Sequence, residues 1–398
     1  MDIKDDVQVQ NNINLIKIFL SFLKIGITGF GPAMITEVKK DIVKKLKWIN
    51  EQELLEGLAL SQLIPGATFV SLTIYIGYKL KGLLGATVSF LGFILPSFSI
   101  VVALSWIYFR YQSIDFVNVL FKGLGVVVVA LIFNTVWDLA KTTTNNIKTI
   151  IIAIAAFVIA VFYDNIFLIL FVSALLGIVL LHNNSDYKKG SKVIEKNKIK
   201  WKDIVIVSIT IIVFFIIIAL NGKLLSMAGV FFRIGALVFG NGFTMLPLMQ
   251  QEVVSIHHWL SLDQFLAGVA LGQITPGPVS ITAAFIGYKV MSLLGATVAA
   301  LAIYSPSFLL VVTTFGFYKK IKNNRWVRSA LTGLIASFVG LMALIVINMG
   351  RHALVDIYTI GLFVLSFVML QFVKLDSKWV ILGGSGVYLL MYYLVRAY

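Results

Sequence analysis

Apolar runs close to the length of one helical bilayer crossing recur along the whole chain, and that recurrence leaves few folds open. Residues 166–181, 204–220 and 354–373 are examples, the last interrupted near its start by Asp356. One crossing takes about 20 apolar residues, and no soluble core needs so many such runs. Composition agrees: the 398 residues are 59% hydrophobic and only 13% charged, with a mean hydropathy of +0.95. An ordinary soluble domain carries about a quarter charged residues. The chain therefore reads as an all-α polytopic membrane protein.

The net charge of +15 suggests nucleic acid at first. The Lys and Arg residues, however, cluster in short segments between apolar runs, as in cytoplasmic loops of membrane proteins, and no nucleic-acid role is expected. Residues 1–12 form a polar tail, partly acidic at Asp2, Asp5 and Asp6, without the pattern of a cleavable signal peptide. The chain has no Cys, which excludes disulfides, thiolate metal sites and a Cys nucleophile.

The chain is also written twice. Phe22-Leu23-Lys24-Ile25-Gly26 returns 209 residues later as Phe231-Phe232-Arg233-Ile234-Gly235, and Phe30-Gly31 as Phe239-Gly240. At a spacing of 211, Trp48 matches Trp259, and Leu60-Ser61-Gln62-Leu63-Ile64-Pro65-Gly66 matches Leu271-Gly272-Gln273-Ile274-Thr275-Pro276-Gly277. At 210, Ile76-Gly77-Tyr78-Lys79 matches Ile286-Gly287-Tyr288-Lys289, and Pro96-Ser97-Phe98 matches Pro306-Ser307-Phe308. A register held this long is a duplication. The expected organisation is a tail (1–12), a first membrane repeat (13–182), a basic loop with a linker transmembrane helix (183–222), and a second membrane repeat (223–398).

Charge bias orients the copies. The loop with Lys39, Lys40, Lys44, Lys45 and Lys47 is strongly basic, whereas its counterpart, residues 249–261, has no Lys or Arg, only His257 and His258. Later the bias reverses: Arg110 stands nearly alone opposite Lys319, Lys320, Lys322, Arg325 and Arg328. Equivalent loops with opposite bias favour inverted-topology repeats over parallel ones. Loop 36–52 would be cytoplasmic and residues 110–114 external, so one of the segments 53–77 and 83–109 should fail to cross. The segment around Gly29–Pro32 reads as a second candidate hairpin. Counting straight helices gives about thirteen, a weaker expectation than the inversion.

Two motifs interrupt apolar segments in each copy. The first is Thr28-Gly29-Phe30-Gly31-Pro32, paired with Phe239-Gly240-Asn241-Gly242-Phe243; the second is Gln62-Leu63-Ile64-Pro65-Gly66, paired with Gln273-Ile274-Thr275-Pro276-Gly277-Pro278. Gly and Pro disfavour a continuous helix through either. Unpaired backbone survives in a membrane only inside protein or beside a wet cavity, and a half-helix starting at such a break directs N–H groups and a positive dipole end at that cavity. Paired breaks thus suggest a substrate site for an anion, the alternative being kinks accommodated by neighbouring helices.

Lys24 and Arg233 occupy equivalent positions shortly before the first breaks, either as substrate-binding cations or as side chains reaching the interface. Gln62 and Gln273, three residues before the Pro, could donate to an oxyanion or cap broken backbone. Lys79, Lys289, Trp48 and Trp259 read as interfacial anchors, and the spacing of Gly57 and Ser61 as close helix packing. His257 and His258 could sense pH or be an idle loop pair. No HExxH, GxSxG, Walker A or Cys-x-x-Cys motif occurs, so no enzyme, ATP hydrolysis, cofactor or metal is expected. Glu53, Glu56, Asp115 and Asp138 all lie near segment ends, so no mid-span carboxylate presents itself as a proton carrier.

These blocks together resemble the chromate ion transporter family in its two-domain, long-chain form. The likeness rests on Phe30-Gly31-Pro32, Trp48 with Glu51-Gln52-Glu53, and Leu58 through Gly66. In the second copy it rests on Ala270 through Val279 and on Phe285-Ile286-Gly287-Tyr288. Pro32 and Asn241 stand where the family usually has a second Gly. The resemblance implies a secondary transporter that exports chromate across the cell membrane, driven by the proton-motive force. The residues themselves support only a small anion, which leaves sulfate, another tetrahedral anion or an anion channel as alternatives. The expected partners are that oxyanion, the lipid bilayer and a second copy in a homodimer, with the basic loop 187–202 cytoplasmic.

Overall fold

The computed structural model describes residues 13–30, 33–163, 165–182, 200–240, 242–316 and 324–397. The tail 1–12, Gly31, Pro32, Asn241, Lys319, Lys320, Lys322 and loop residues 187–199 lie outside them. The described residues are helical, with no strand among them.

The first copy comprises α1 (Leu15–Thr28), α2 (Ala33–Val38, continuing as a π-helix over Lys39–Lys45), α3 (Glu51–Leu63), α4 (Thr68–Tyr111), α5 (Asp115–Thr143), α6 (Ile147–Phe162) and α7 (Ile166–Leu181). An unmatched helix, α8 (Trp201–Ile218), follows. The same order then returns as α9 (Gly222–Leu237), α10 (Leu246–Gln250, continuing as a π-helix over Gln251–Ile256), α11 (Leu262–Ile274), α12 (Thr282–Thr314), α13 (Arg325–Ala353), α14 (Ile357–Gln371) and α15 (Ser377–Ala397). Five helices among the described residues are long and apolar enough to cross a membrane, and α6, α7 and α14 are shorter apolar helices. The estimate of about thirteen straight crossings is therefore too high, because several apolar segments turn back on themselves.

The turning back is explicit in α3 and α4. Asn50 starts α3 with a capping box, its side chain accepting from the Glu53 N–H while the Glu53 carboxylate accepts from the Asn50 N–H, each at 2.9 Å. After the break at Ile64–Ala67, the first leg of α4 returns along α3. A Cβ on Gly57 would lie 2.4 Å from the Tyr75 ring, and the Lys79 ammonium pairs with Glu53 at 2.6 Å. Each arm is only roughly 20 Å long at 1.5 Å per residue, short of the roughly 30 Å apolar layer. Segment 53–77 is thus the member of its pair whose arms are each too short for a full crossing. Lys79, read as an interfacial anchor, instead closes the base of this hairpin.

At Lys81 (φ −142°, ψ 31°) and Gly82 (φ +59°, ψ −146°) the chain reverses again. Residues 83–111 run back antiparallel to the first leg, so that the Ser89 hydroxyl reaches the Thr73 carbonyl at 3.0 Å. Met291 and Ser292 make the same reversal in α12, with Ser292 at φ +49° and ψ −142°. Gly77 faces Gly85, and Gly287 faces Gly295, with no room for a Cβ at any of the four.

α1 and α2 form a second hairpin, in which the Lys24 ammonium meets the Asp41 carboxylate at 2.6 Å. Residues 36–52, read as a basic loop, are therefore helical as far as Lys45. The counterpart 249–261 is helical as far as Ile256. Each π-helix turns one carboxylate inward, Asp41 at 4% and Glu252 at 3% exposure. Neither was singled out from the sequence: Asp41 is hidden there by its lysine neighbours. Trp48 is buried as well, inside protein rather than in an interfacial belt.

Packing divides the chain into two compact units. The first comprises residues 1–102, 192–242 and 275–322, and the second residues 103–191, 243–274 and 323–398, so each draws on both sequence copies. In the first unit, α1 lies against the long leg of α4 and α9 against that of α12. A Cβ on Gly26 would sit 2.5 Å from the Phe93 carbonyl, and one on Gly235 2.1 Å from the Ile303 carbonyl. The Phe315 ring, at the end of α12, packs on Tyr75 and Tyr78 at the base of the α3–α4 hairpin (centroids 5.2 and 4.9 Å). The Tyr78 hydroxyl donates to Asp203 at the start of α8 (2.7 Å). Along α8 only Val207 and Ile218 are buried, leaving its apolar sides for lipid.

In the second unit, α5 packs on α14 and α15, while α13 packs on α6 and α7. Gly177 and Gly333 bring α7 and α13 into backbone contact, the close approach small residues permit in membrane helices. His257 stacks on Trp259 (4.6 Å) with its Nε2 3.5 Å from Glu252, so it is not an idle loop residue.

Candidate functional site

Four breaks in the backbone converge in the first unit, at residues 29–30, 64–67, 238–240 and 275–278, and local chemistry explains each. α3 stops because the residue before a proline is driven out of helical geometry: Ile64 is extended (φ −96°, ψ 149°), and Gly66 then takes φ +117°. α11 stops before Thr275-Pro276-Gly277-Pro278, with Gly277 at φ +109°. α9 ends at Leu237, after which Val238 is extended and Gly240 takes φ +93°. α1 ends at Thr28, with Gly29 extended before Phe30. Positive φ strains any residue with a Cβ, which is why glycine holds these corners.

The interrupted backbones satisfy one another across the copies. The Gly66 N–H donates to the Val238 carbonyl at 2.7 Å, and the Thr68 hydroxyl to the Gly240 carbonyl at 2.6 Å. Reciprocally, the Gly277 N–H donates to the Gly29 carbonyl at 2.9 Å, and Phe30 and Gly277 form an isolated parallel bridge. The second break of each copy thus meets the first break of the other. Groups that lipid could not satisfy are paired inside protein.

The predicted site residues divide as follows. Gly29 and Phe30 meet Gly277, while Gly66 meets Val238 and Gly240 meets Thr68. Thr275, Pro276 and Pro278 are buried beside them in the chain, and Pro65 and Phe239 are half-buried. Gly242 opens a 3-10 turn against the start of the second-copy helix, where a Cβ would meet Val279 at 3.1 Å. Gly31, Pro32 and Asn241 fall outside the described residues. Gln62 is exposed, whereas the side-chain nitrogen of Gln273 is buried with no hydrogen-bond partner among the described residues. Lys24 lies five residues before Gly29 with its charge already held by Asp41. Arg233 is exposed in the equivalent part of α9.

Sequence reasoning passed over Asp41, Glu252, Thr68, Ser97 and Ser307. A signal existed for most of them. Asp41 and Glu252 are acidic at the same repeat spacing as Trp48 and Trp259, and Pro-Ser-Phe recurs in both copies. Beside the breaks, the helix starts at Thr68 and Val279–Thr282 present N–H groups that have no intrahelical acceptor. Such an arrangement suits a small anion.

The sequence profile described as "Chromate transporter" matches the chain twice, over residues 16–178 and 225–390. The chain belongs to the chromate transporter family. Among its relatives is a chromate transport protein of Cupriavidus metallidurans, 32% identical over 96% of this chain and 94% of the relative. A probable chromate transport protein of Synechococcus elongatus is 34% identical over 86% and 87%. An uncharacterized transporter of Methanocaldococcus jannaschii is 29% identical over 92% of each. No solved structure matches the chain. These relatives are named as transporters, and with several membrane-length helices this chain is a multi-pass membrane transporter rather than an enzyme.

Proposed function

We propose that the protein is a secondary transporter that exports a small tetrahedral oxyanion, chromate first, across the cell membrane, with two inverted repeats enclosing the site. The observation that carries this reading is the meeting of four backbone breaks in one unit, with the starts of α4 and α12 presenting N-terminal N–H groups beside them. Membership in the family of named chromate transport proteins supports chromate as the substrate. The binding residues are those at the breaks: Gly29, Phe30, Pro65, Gly66, Phe239, Gly240, Gly242 and Thr275 through Pro278, together with Gly31, Pro32 and Asn241 from the same sequence motifs. Lys24 and Arg233 flank the site, Lys24 acting through its ion pair with Asp41; Gln62 and Gln273 complete each second break.

Three observations support the inversion. Equivalent loops carry opposite charge bias. The second leg of α12 is roughly 33 Å long, enough for a full crossing, and it runs from the turn at Ser292 to Phe315 at the base of the first-copy hairpin. The two hairpin bases therefore belong on opposite faces. Finally, Asp203 bonds Tyr78 at the first-copy base, so α8, roughly 27 Å long, carries the chain across before α9 begins. The same contact favours a cytoplasmic loop 187–202, on the face of Lys39 through Lys47.

Export follows from electrostatics. An inside-negative potential is worth roughly 2.3 kcal/mol per charge per 100 mV, so a dianion gains about 4–5 kcal/mol by leaving, and the electrical part of the proton-motive force suffices to drive it. The test is chromate uptake into inverted vesicles, with sulfate and molybdate as competitors. Saturable uptake that rises with an inside-positive potential is expected. Dianion entry into right-side-out vesicles clamped inside-negative, without any ion gradient, would refute export; unsaturable single-channel currents would favour a channel.

A further inference from the structure

The duplication makes two anion sites possible, one at the start of α4 beside Gly66 and one at the start of α12 beside Gly277. Their hydroxyl groups are not equivalent. Ser97 and Ser307 hold the same place in the repeated Pro-Ser-Phe block, and each faces the break glycine of the other copy. A Cβ on Gly277 would lie 2.8 Å from Ser97, and one on Gly66 1.9 Å from the Ser307 Oγ. Both serines are 0% exposed. The Ser97 hydroxyl donates to the Ile94 carbonyl at 3.0 Å. The Ser307 hydroxyl has no hydrogen-bond partner among the described residues and fills the place where a Gly66 side chain would stand, beside the backbone that leads into α4 at Thr68.

The helix starts repeat the contrast. Ser71, in the first turn of α4, is fully buried with its hydroxyl also unpartnered. At the start of α12, Ser280 shares a hydrogen bond with the Tyr304 hydroxyl (3.1 Å), and Thr282 donates to the Val279 carbonyl (2.8 Å). Other helical hydroxyls here, such as Thr73 on Phe69 and Thr135 on Leu131, close back onto a carbonyl. Among the described residues, two buried hydroxyls are left open at the first-copy break, whereas the open group at its twin is the Gln273 side-chain amide; open hydroxyls beside helix-start N–H groups mark a place that an acceptor can complete.

We infer that the transporter binds one anion per chain, at the start of α4, because the hydroxyls at the matching start of α12 are engaged in hydrogen bonds of their own. The first intrahelical bond of α4 runs from the Ser71 N–H to the Ala67 carbonyl (2.9 Å), so the N–H groups of Thr68, Phe69 and Val70 lie ahead of it. A fully deprotonated tetrahedral oxyanion only accepts hydrogen bonds. It suits a cradle of backbone N–H groups with the Ser307 hydroxyl as a donor and Ser71 as a second. The Thr68 hydroxyl is excluded, because it is spent on Gly240. This inference rests on the oxyanion reading above.

The test is equilibrium binding of labelled chromate, sulfate and molybdate to the purified full-length protein. Wild type is compared with Ser307→Ala, Ser71→Ala and Ser97→Ala, each also followed by thermal unfolding. One anion per chain is expected. Ser307→Ala should weaken binding about tenfold or more, the loss typical of a hydrogen bond to a charged group. Because its hydroxyl has no partner among the described residues, Ser307→Ala should unfold no earlier than wild type without anion, which a structural serine would not permit. Ser97→Ala should bind like wild type. Two anions per chain, unchanged affinity in Ser307→Ala, or equal losses in Ser97→Ala and Ser307→Ala would overturn the assignment while leaving the oxyanion reading standing. Wild type binding none of the three anions would overturn both.

Discussion

Replacing Gly66 with alanine tests the break geometry at its tightest point. Gly66 sits at φ +117°, where a side chain is strained, and its Cβ would stand 1.9 Å from the Ser307 Oγ and 3.1 Å from the Ser307 Cβ. Backbone strain of this kind costs about 1–3 kcal/mol, and forcing atoms into a filled interior about 1–3 kcal/mol more. The expected destabilisation is about 2–6 kcal/mol. Gly82→Ser is the control: nothing lies within 4 Å of its Cβ position, and Ser292 adopts nearly the same backbone angles in the second copy. It carries the positive-φ strain without the clash and should cost about 1–3 kcal/mol, less than Gly66→Ala. Unfolding in mixed micelles, followed by tryptophan fluorescence, would compare the two. Adding Ser307→Ala to Gly66→Ala removes the 1.9 Å contact but not the strain, and should recover about half the loss. If Gly66→Ala were as stable as wild type, the break would not have the conformation described and the cross-copy pairing of Gly66 with Val238 would fall with it.

Other substitutions probe neighbouring contacts. Thr68→Val keeps the side-chain shape but removes the donor to the Gly240 carbonyl, and should cost about 1–3 kcal/mol in the same unfolding assay. Glu53→Ala removes both the capping-box partner of Asn50 and the Lys79 ion pair. It should cost about 1–2 kcal/mol, and speed proteolysis near Lys79 if the hairpin base opens.

The membrane class, the duplication and the location of the breaks were legible because residue type alone carries them: apolar length, repeated blocks, and Gly with Pro at set spacings. Hairpins were less so. A hydropathy window cannot distinguish an apolar stretch that crosses from one that turns back at Pro65-Gly66, and only the charge bias hinted that one segment had to turn. Asp41 was hidden by the lysines around it, since a carboxylate in a basic run reads as part of a solvated loop until the π-helix turns it inward. Lys79 and Trp48 looked interfacial because their partners, Glu53 and the protein interior, are set by the fold. The pairing of Gly66 with Val238 and of Gly277 with Gly29 joins groups far apart in sequence, and no local pattern announces it. Ser307 was visible in a repeated block, but its open hydroxyl belongs to three dimensions.

The absence of cysteine allows single cysteines to be introduced without background. Lys47 and His258 occupy equivalent turns, both with positive φ (51° and 50°), directly after the two π-helices. Labelling Lys47→Cys and His258→Cys with a membrane-impermeant maleimide in intact cells and in inverted vesicles measures the relative orientation of the halves. Two oppositely directed copies place the cysteines on opposite faces, with Lys47→Cys labelled only in inverted vesicles and His258→Cys only in intact cells. Labelling of both from one side would mean that the halves run in the same direction, and the shared pocket built from their interrupted helices could not form as described.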